Sequence, residues 1–146
     1  MTDEQKNQIA AVMAAEHVAF ISTLGDEWPS LTLEAFAETP ELDIVIIVGE
    51  STDRFQNVSR RANVSFLVEK RFGDVSKFQI TRLSGRGVAR EVEKNSGEWE
   101  KLKAVFLKKN PFEEPFFKNP ALKMLRISPK RIKFAEALNP PFTVEF

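Results

Sequence analysis

Cysteine and tyrosine are absent from this chain, and histidine occurs once. Without thiols there are no disulfides, no thiolate nucleophile and no Cys-ligated metal. The single His17 removes His-cluster metal sites and any acid/base scheme that needs two imidazoles. The missing tyrosine excludes phenol acid chemistry. Aromatic character rests instead on 13 Phe and 2 Trp, and Phe donates neither a hydrogen bond nor a proton. No apolar run approaches membrane-spanning length, and the first residues, MTDEQKNQ, lack a basic-then-apolar leader pattern. These absences predict a cytoplasmic protein with no membrane partner.

What is present is ordinary in amount and uneven in placement. At 146 residues, with 42% hydrophobic and 29% charged side chains, the chain predicts one globular domain over 1–146. The formal charge is zero, yet residues 1–50 hold ten acidic side chains against Lys6 alone. Residues 101–133 hold ten basic side chains against Glu113 and Glu114. The lysines there fall on both sides of apolar patterns and not in one block. The two regions are therefore expected to compensate each other within a monomer or across a subunit contact, and no nucleic-acid partner is expected.

Hydrophobic periodicity places a helix over Asp3 to Glu16, with Thr2 or Asp3 as N-cap and Ile9, Val12 and Met13 as the buried stripe. His17 to Leu24 and Pro29 to Ala37 read as a hairpin around Gly25-Asp26-Glu27, and Asp43 to Val48 as a third strand. A polar loop around Phe72-Gly73-Asp74 separates the strands Asn63 to Glu69 and Phe78 to Val92. Alternation in the latter slips at Ser84-Gly85-Arg86-Gly87, which predicts a bulge or a close backbone approach. That lone G-x-G is no dinucleotide fingerprint, because no helix follows it and the third glycine is missing. Gly97 to Lys109 is a second firm helix, FEEPFFKNP reads as an aromatic loop, and Leu122 to Ile127 and Arg131 to Ala135 close the chain as strands.

The most informative stretch is VIIVGESTDRFQNVSRRANVSFLV, Val45 to Val68, which reads as strand, turn, helix, strand. Its turn sets Ser51, Thr52 and Arg54 at a helix start, where unpartnered N–H groups and the dipole favour an anion such as phosphate. The plainer alternative is that Ser51 or Thr52 only caps the helix. His17 reads as a helix-end or packed side chain before it reads as a catalyst. A Ser/His/Asp scheme would need His17 as base, and no G-x-S-x-G elbow exists. Glu113-Glu114 reads as a loop pair and not as a dyad. Arg82, Arg86 and Arg90 share one face of a strand, either a solvated row or an anion-facing edge.

Hairpins dominate, so the fold class is mainly β: an antiparallel barrel of six to seven strands with peripheral helices. The succession HVAFISTLGDEWPSLTLEAF, DIVIIVGES, TDRFQNVSRRANVSFLVE, FQITRLSGRGVARE and LKMLRISPKRIKFAE resembles the FMN-binding split-barrel family typified by pyridoxamine 5′-phosphate oxidase. Trp28-Pro29, Thr52-Asp53-Arg54, Ala62-Asn63-Val64-Ser65-Phe66 and Leu83-Ser84-Gly85-Arg86-Gly87 are the counterparts of that family's motifs. The closing pattern Leu125-x-Ile127-x-Pro129-x-x-Ile132-x-Phe134 is similar to its small bacterial members.

The resemblance implies a homodimer with FMN at the subunit interface. Thr52 matches the family's phosphate-binding serine and Arg54 its phosphate-binding lysine, with Ser51 beside them. Thr32, Leu33 and Glu34 occupy the ring-contacting places of strand two, Ile47 and Val48 the end of strand three, and Gln79 stands near a strand-five glutamine. Two departures stand out: Asp53 replaces a basic residue, and strand two lacks the oxidase's Arg-x-x-x-x-Lys. Alternation also leaves Glu34 facing solvent. Counterparts of the oxidase's C-terminal catalytic positions are missing, so pyridoxamine phosphate oxidation is not expected. The expectation is a flavin-dependent oxidoreductase acting on a small molecule. Alternatives are a non-catalytic module holding haem, deazaflavin or flavin, with His17 the only histidine available to haem iron, or a cofactor-free dimer that serves a partner protein.

Overall fold

The computed structural model describes residues 1–71 and 79–146. The expected loop around Phe72-Gly73-Asp74 and the start of the next strand at Phe78 lie outside these residues. Helix α1 (Asp3–Ala15) begins with a capping box: Thr2 Oγ1 accepts from Gln5 N at 3.1 Å, and Gln5 Oε1 accepts from Thr2 N at 2.9 Å. Its Ile9, Val12 and Met13 stripe is buried in the barrel core as the spacing predicts.

The strands are β1 (Val18–Thr23), β2 (Ser30–Ala35), β3 (Ala37–Glu38), β4 (Ile44–Gly49), β5 (Asn63–Arg71), β6 (Ile80–Val92), β7 (Leu122–Glu136) and β8 (Phe142–Glu145). Every strand pairing among the described residues is antiparallel, in the order β2-β1-β5-β6-β7-β4-β3, with β8 on β7. The two ends of that order are successive pieces of one segment. Residues 30–35 pair with β1, residues 37–38 pair with β4, and Phe36 is the step between them. The ring closes through a strand that changes partner. The seven strand segments read from the sequence become eight: one is split at Phe36, β8 is added, and the two expected closing strands merge into β7.

The seam at Phe36 is held from outside the sheet. Its N–H donates to His17 O at 3.2 Å, and its carbonyl accepts from Asn110 Nδ2 at 2.9 Å. Asn110 is the buried C-cap of α3 (Gly97–Lys109), which packs Trp99, Leu102 and Phe106 against Ala37, Val45, Val92 and Met124 in a second core cluster. The preceding Lys109 reaches Glu38 Oε2 at 2.5 Å and Met13 O at 2.7 Å, over the Phe36 ring. One helix end therefore ties α1, the seam and β3 together.

Two sequence expectations change in form. The expected closing strands Leu122 to Ile127 and Arg131 to Ala135 are one continuous β7, with no turn at Ser128-Pro129-Lys130. Pro129 is tolerated because it lies opposite Gly87, where the β6–β7 register shifts and no regular ladder bond is required of it. The irregularity expected at Gly85 and Gly87 is present. A side chain at Gly85 would collide with the Phe66 ring, and one at Gly87 with Ser128 O. The expected aromatic loop is a 3₁₀ helix, Pro111–Lys118, whose Phe117 packs edge-on against Trp99.

Truncating the seam tie should be costly. Asn110→Ala leaves the buried Phe36 carbonyl without its side-chain donor, at about 1–3 kcal/mol. An unfolding free energy from urea titration lowered by that amount, with the midpoint reduced at unchanged slope, is the expected result; an unaltered midpoint would show that the seam closes without Asn110.

Candidate functional site

Helix α2 (Asp53–Arg60) follows β4 after a short turn, and its first residues form the corner that the sequence singles out. Thr52 is the N-cap: its hydroxyl donates to Gly49 O at 2.8 Å and accepts from Phe55 N at 3.3 Å. Glu50 N donates to Ala121 O at 2.9 Å, and Gln56 Nε2 returns to Glu50 O at 2.8 Å. The turn satisfies itself, as the capping alternative requires. Ser51 stays exposed.

Arg54 leaves the corner for the barrel. Its Nε lies 2.6 Å from Glu34 Oε1, with 25% of the arginine side chain and 11% of the glutamate side chain accessible. Glu34 does not face solvent as alternation on the apolar residues suggests. On β2 the polar side chains Thr32 and Glu34 turn inward, while Leu31 and Leu33 stand outward at 69% and 56% exposure. The usual rule that the apolar side is the core side fails on this strand, because β2 passes beside the α2 corner where Arg54 supplies a counter-ion.

Burial pushes the Glu34 carboxyl up from its ordinary value. Arg54 and then the adjacent Thr32 hydroxyl pull it back down, and Glu113 of the 3₁₀ helix pushes it further up. Two buried polar atoms here have no hydrogen-bond partner, Thr32 Oγ1 and Arg54 Nε. The guanidinium N–H is off-line to Glu34, so that contact is coulombic. Beside this pair opens a cleft of about 190 Å³ lined by Ile47, Val48, Gly49, Arg54, Glu113, Phe116 and Leu122.

Of the candidate residues, Thr32, Glu34, Ile47, Val48, Thr52 and Arg54 come together around this cleft and corner. Leu33 is on the opposite face of β2. Gln79 precedes β6 at the end where Ile80 pairs with Arg71, far along β5 from its α2 junction. His17 is exposed and does not line the cleft. Sequence reasoning missed Glu113, Phe116 and Leu122. Only the aromatic density of FEEPFF hinted at them, because nothing local says which barrel end a 3₁₀ turn covers.

A flavin phosphate does not fit this corner as it stands. Thr52 has spent its hydroxyl on the cap, Arg54 is neutralised by Glu34, and Asp53 and Glu113 add negative charge nearby. The apolar walls and the two orphaned polar atoms do suit the edge of a flat heterocycle.

No protein-family model and no curated protein matches the sequence. Solved structures do. A haem-binding protein from Mycobacterium smegmatis aligns at TM-score 0.86 and 14% identity over 99% of this chain, which spans 60% of that one. The haem storage protein HutZ from Vibrio cholerae aligns at 0.75 and 15%, covering 93% of this chain and 92% of that one. A provisionally assigned pyridoxamine 5′-phosphate oxidase from Listeria innocua aligns at 0.67 and 18%, covering 89% and 97%. The chain has the split-barrel fold of the pyridoxamine 5′-phosphate oxidase-like proteins. Among the described residues no helix is long and apolar enough to cross a membrane.

The masking of Arg54 has a pH signature. Acid protonates Glu34, whose carboxyl titrates above its usual range, and so releases the guanidinium. Sulfate, whose own charge is constant, should bind at Arg54 more tightly at pH 5 than at pH 7. Glu34→Gln should bind it about tenfold more tightly at pH 7 and lose the pH dependence, as read by calorimetry. Equal affinity of Glu34→Gln and parent at pH 7 would refute the masking.

Proposed function

We propose that this chain is a homodimeric cofactor-binding protein of the flavin class that grips the cofactor by its ring edge and not by its phosphate. The supporting observation is the cluster beside the cleft: the buried Glu34 carboxylate, Arg54 Nε 2.6 Å from it, and the Thr32 hydroxyl, the Nε and the hydroxyl being buried atoms without a well-aligned hydrogen bond. The pyrimidine edge of a flavin offers one N–H between two carbonyl oxygens. A carboxylate accepts from the first, and Arg54 and Thr32 donate to the others. FMN and deazaflavin share that edge, and haem lacks it. The solved haem proteins named above keep the haem reading in view, but His17 stands away from this cleft.

Redox chemistry in such a complex belongs to the cofactor. The chain supplies the ring-edge contacts, apolar walls from Ile47, Val48, Leu122 and Phe116, and exclusion of water. That division suits an oxidoreductase acting on a small molecule more than a hydrolase, since no nucleophile and base converge here.

A second copy belongs on the first hairpin. Val18, Leu24, Trp28, Leu31 and Leu33 are all exposed there, at 45–75%, and Phe20 joins Leu33 to Leu67 across three strands. A monomer rarely leaves so continuous an apolar face uncovered. Leu31→Glu/Leu33→Glu should sediment as a monomer at concentrations where the parent sediments at twice the chain mass; a monomeric parent would remove the dimer from the reading.

Flavin binding is read from the visible spectrum after incubation and desalting. Riboflavin and FMN should be retained with affinities within about threefold of each other, and Glu34→Ala should release both. An FMN preference of about a hundredfold, roughly 2.7 kcal/mol, would put the phosphate back at the anchor. A Soret band with hemin and no flavin retention would replace the proposal by haem binding.

A further inference from the structure

Most arginines are spoken for among the described residues. Every arginine except two has a carboxylate within 4.0 Å among the described residues. The exceptions, Arg82 and Arg86, lie on the outer face of β6, where the sequence pattern left an anion-facing edge open as an alternative to a solvated row. Arg90, the third member of that row, is tied to Glu98 by two hydrogen bonds of 2.7 Å and drops out.

Arg86 opens on a recess of about 190 Å³, the share of liquid volume of about six waters. The register explains how it forms. Ser22 of β1 pairs with Ser65 of β5, Ser65 with Arg86 of β6, and Asn63 lies two residues from Ser65 on the same face. Lys130 comes over the top from β7, where the Gly87–Pro129 irregularity lets the two strands approach. The side chains of Ser22, Asn63, Ser65, Arg86 and Lys130 make no hydrogen bond or ion pair among the described residues, and no carboxylate lines the recess. Ordinary solvated sheet faces in this chain mix the two signs, as Arg71 with Glu69 and Arg131 with Glu145 do. Two cations, two hydroxyls and an amide converging without an acid form a cup of donors.

We infer that this recess is a second binding site, for a phosphate-type oxyanion, separate from the cleft at Arg54. Arg86 and Lys130 supply the charge. The Ser22 and Ser65 hydroxyls and the Asn63 amide complete the donor set. The cofactor reading is not required for this site.

The test is titration of the full-length protein with inorganic phosphate and, separately, with phenyl phosphate, followed by the amide resonances of Ser22, Ser65 and Arg86 and by calorimetry. Binding tighter than about 10 mM that moves those amides is expected. Arg86→Gln and Lys130→Gln should each weaken it at least about fivefold, while Lys118→Gln, a control for net charge, leaves it unchanged. Phenyl phosphate at least tenfold tighter than phosphate supports the site and identifies an ester as the ligand; equal affinities support it and identify the free oxyanion. Shifts that survive both Arg86→Gln and Lys130→Gln, or the absence of any binding, would overturn the site whatever flavin does.

Discussion

The fold depends on one strand that serves two neighbours in turn. Residues 30–35 belong to β1 and residues 37–38 to β4, so closure of the ring rests on the step at Phe36. Phe36 itself is fully buried, and its two backbone groups are bonded to His17 and Asn110. Such a step cannot be stabilised by a regular ladder, because the ladder changes partner there. It is stabilised instead by α3, whose end brings Asn110 and Lys109 to the seam. Burial pulls the Lys109 ammonium down from its ordinary value even though Glu38 beside it opposes this, as expected for a cation used as an internal tie.

The same strand decides what the cleft contains. Passing close to α2, it turns Thr32 and Glu34 inward and leaves Leu31 and Leu33 outside. A carboxylate this buried is tolerable only beside a cation, and Arg54 is the cation. The pair is poor evidence for stability, since removing two charges from water offsets much of their attraction. It is better evidence for selectivity. An arginine already neutralised attracts carboxylate and phosphate only weakly, which is the basis for proposing a neutral edge rich in donors and acceptors as the ligand group here. The outward leucines are the complement of that choice, and they create the exposed apolar face on which the proposed second copy would sit.

Much of this was legible in the chain. The helices carry their signals in Ser/Thr caps and i, i+3, i+4 stripes: Thr2 with the Ile9-Val12-Met13 stripe marked α1, and Gly97 to Lys109 was read as α3. Gly85 and Gly87 announced close contacts because only glycine fits there. Illegible were features that depend on distant partners. Glu34 lies inward because of Arg54, twenty residues on, and no alternation rule contains that fact. Pro129 continues a strand because Gly87 opposes it. The role of Glu113 depends on where a 3₁₀ turn lands against β4. The corner itself was located correctly, but Thr52 took the cap and Arg54 took Glu34, so the residues come together without forming the anion cradle that their types suggested.

Charge placement connects these observations. The acidic first third and basic final third pair in part within the monomer: Arg126 meets Asp43 at 2.5 Å, and Lys109 meets Glu38. The totals are 21 acids against 21 bases, and pairing among the described residues is incomplete on both sides. The acids left over include Glu113 and Asp53, which keep the cleft unwelcoming to anions. The bases left over include Arg82, Arg86 and Lys130, gathered on the outer sheet beside hydroxyls. A chain neutral in sum thus holds two regions of opposite preference on one barrel, and ligands of different charge are sorted between them by burial and pairing and not by net charge.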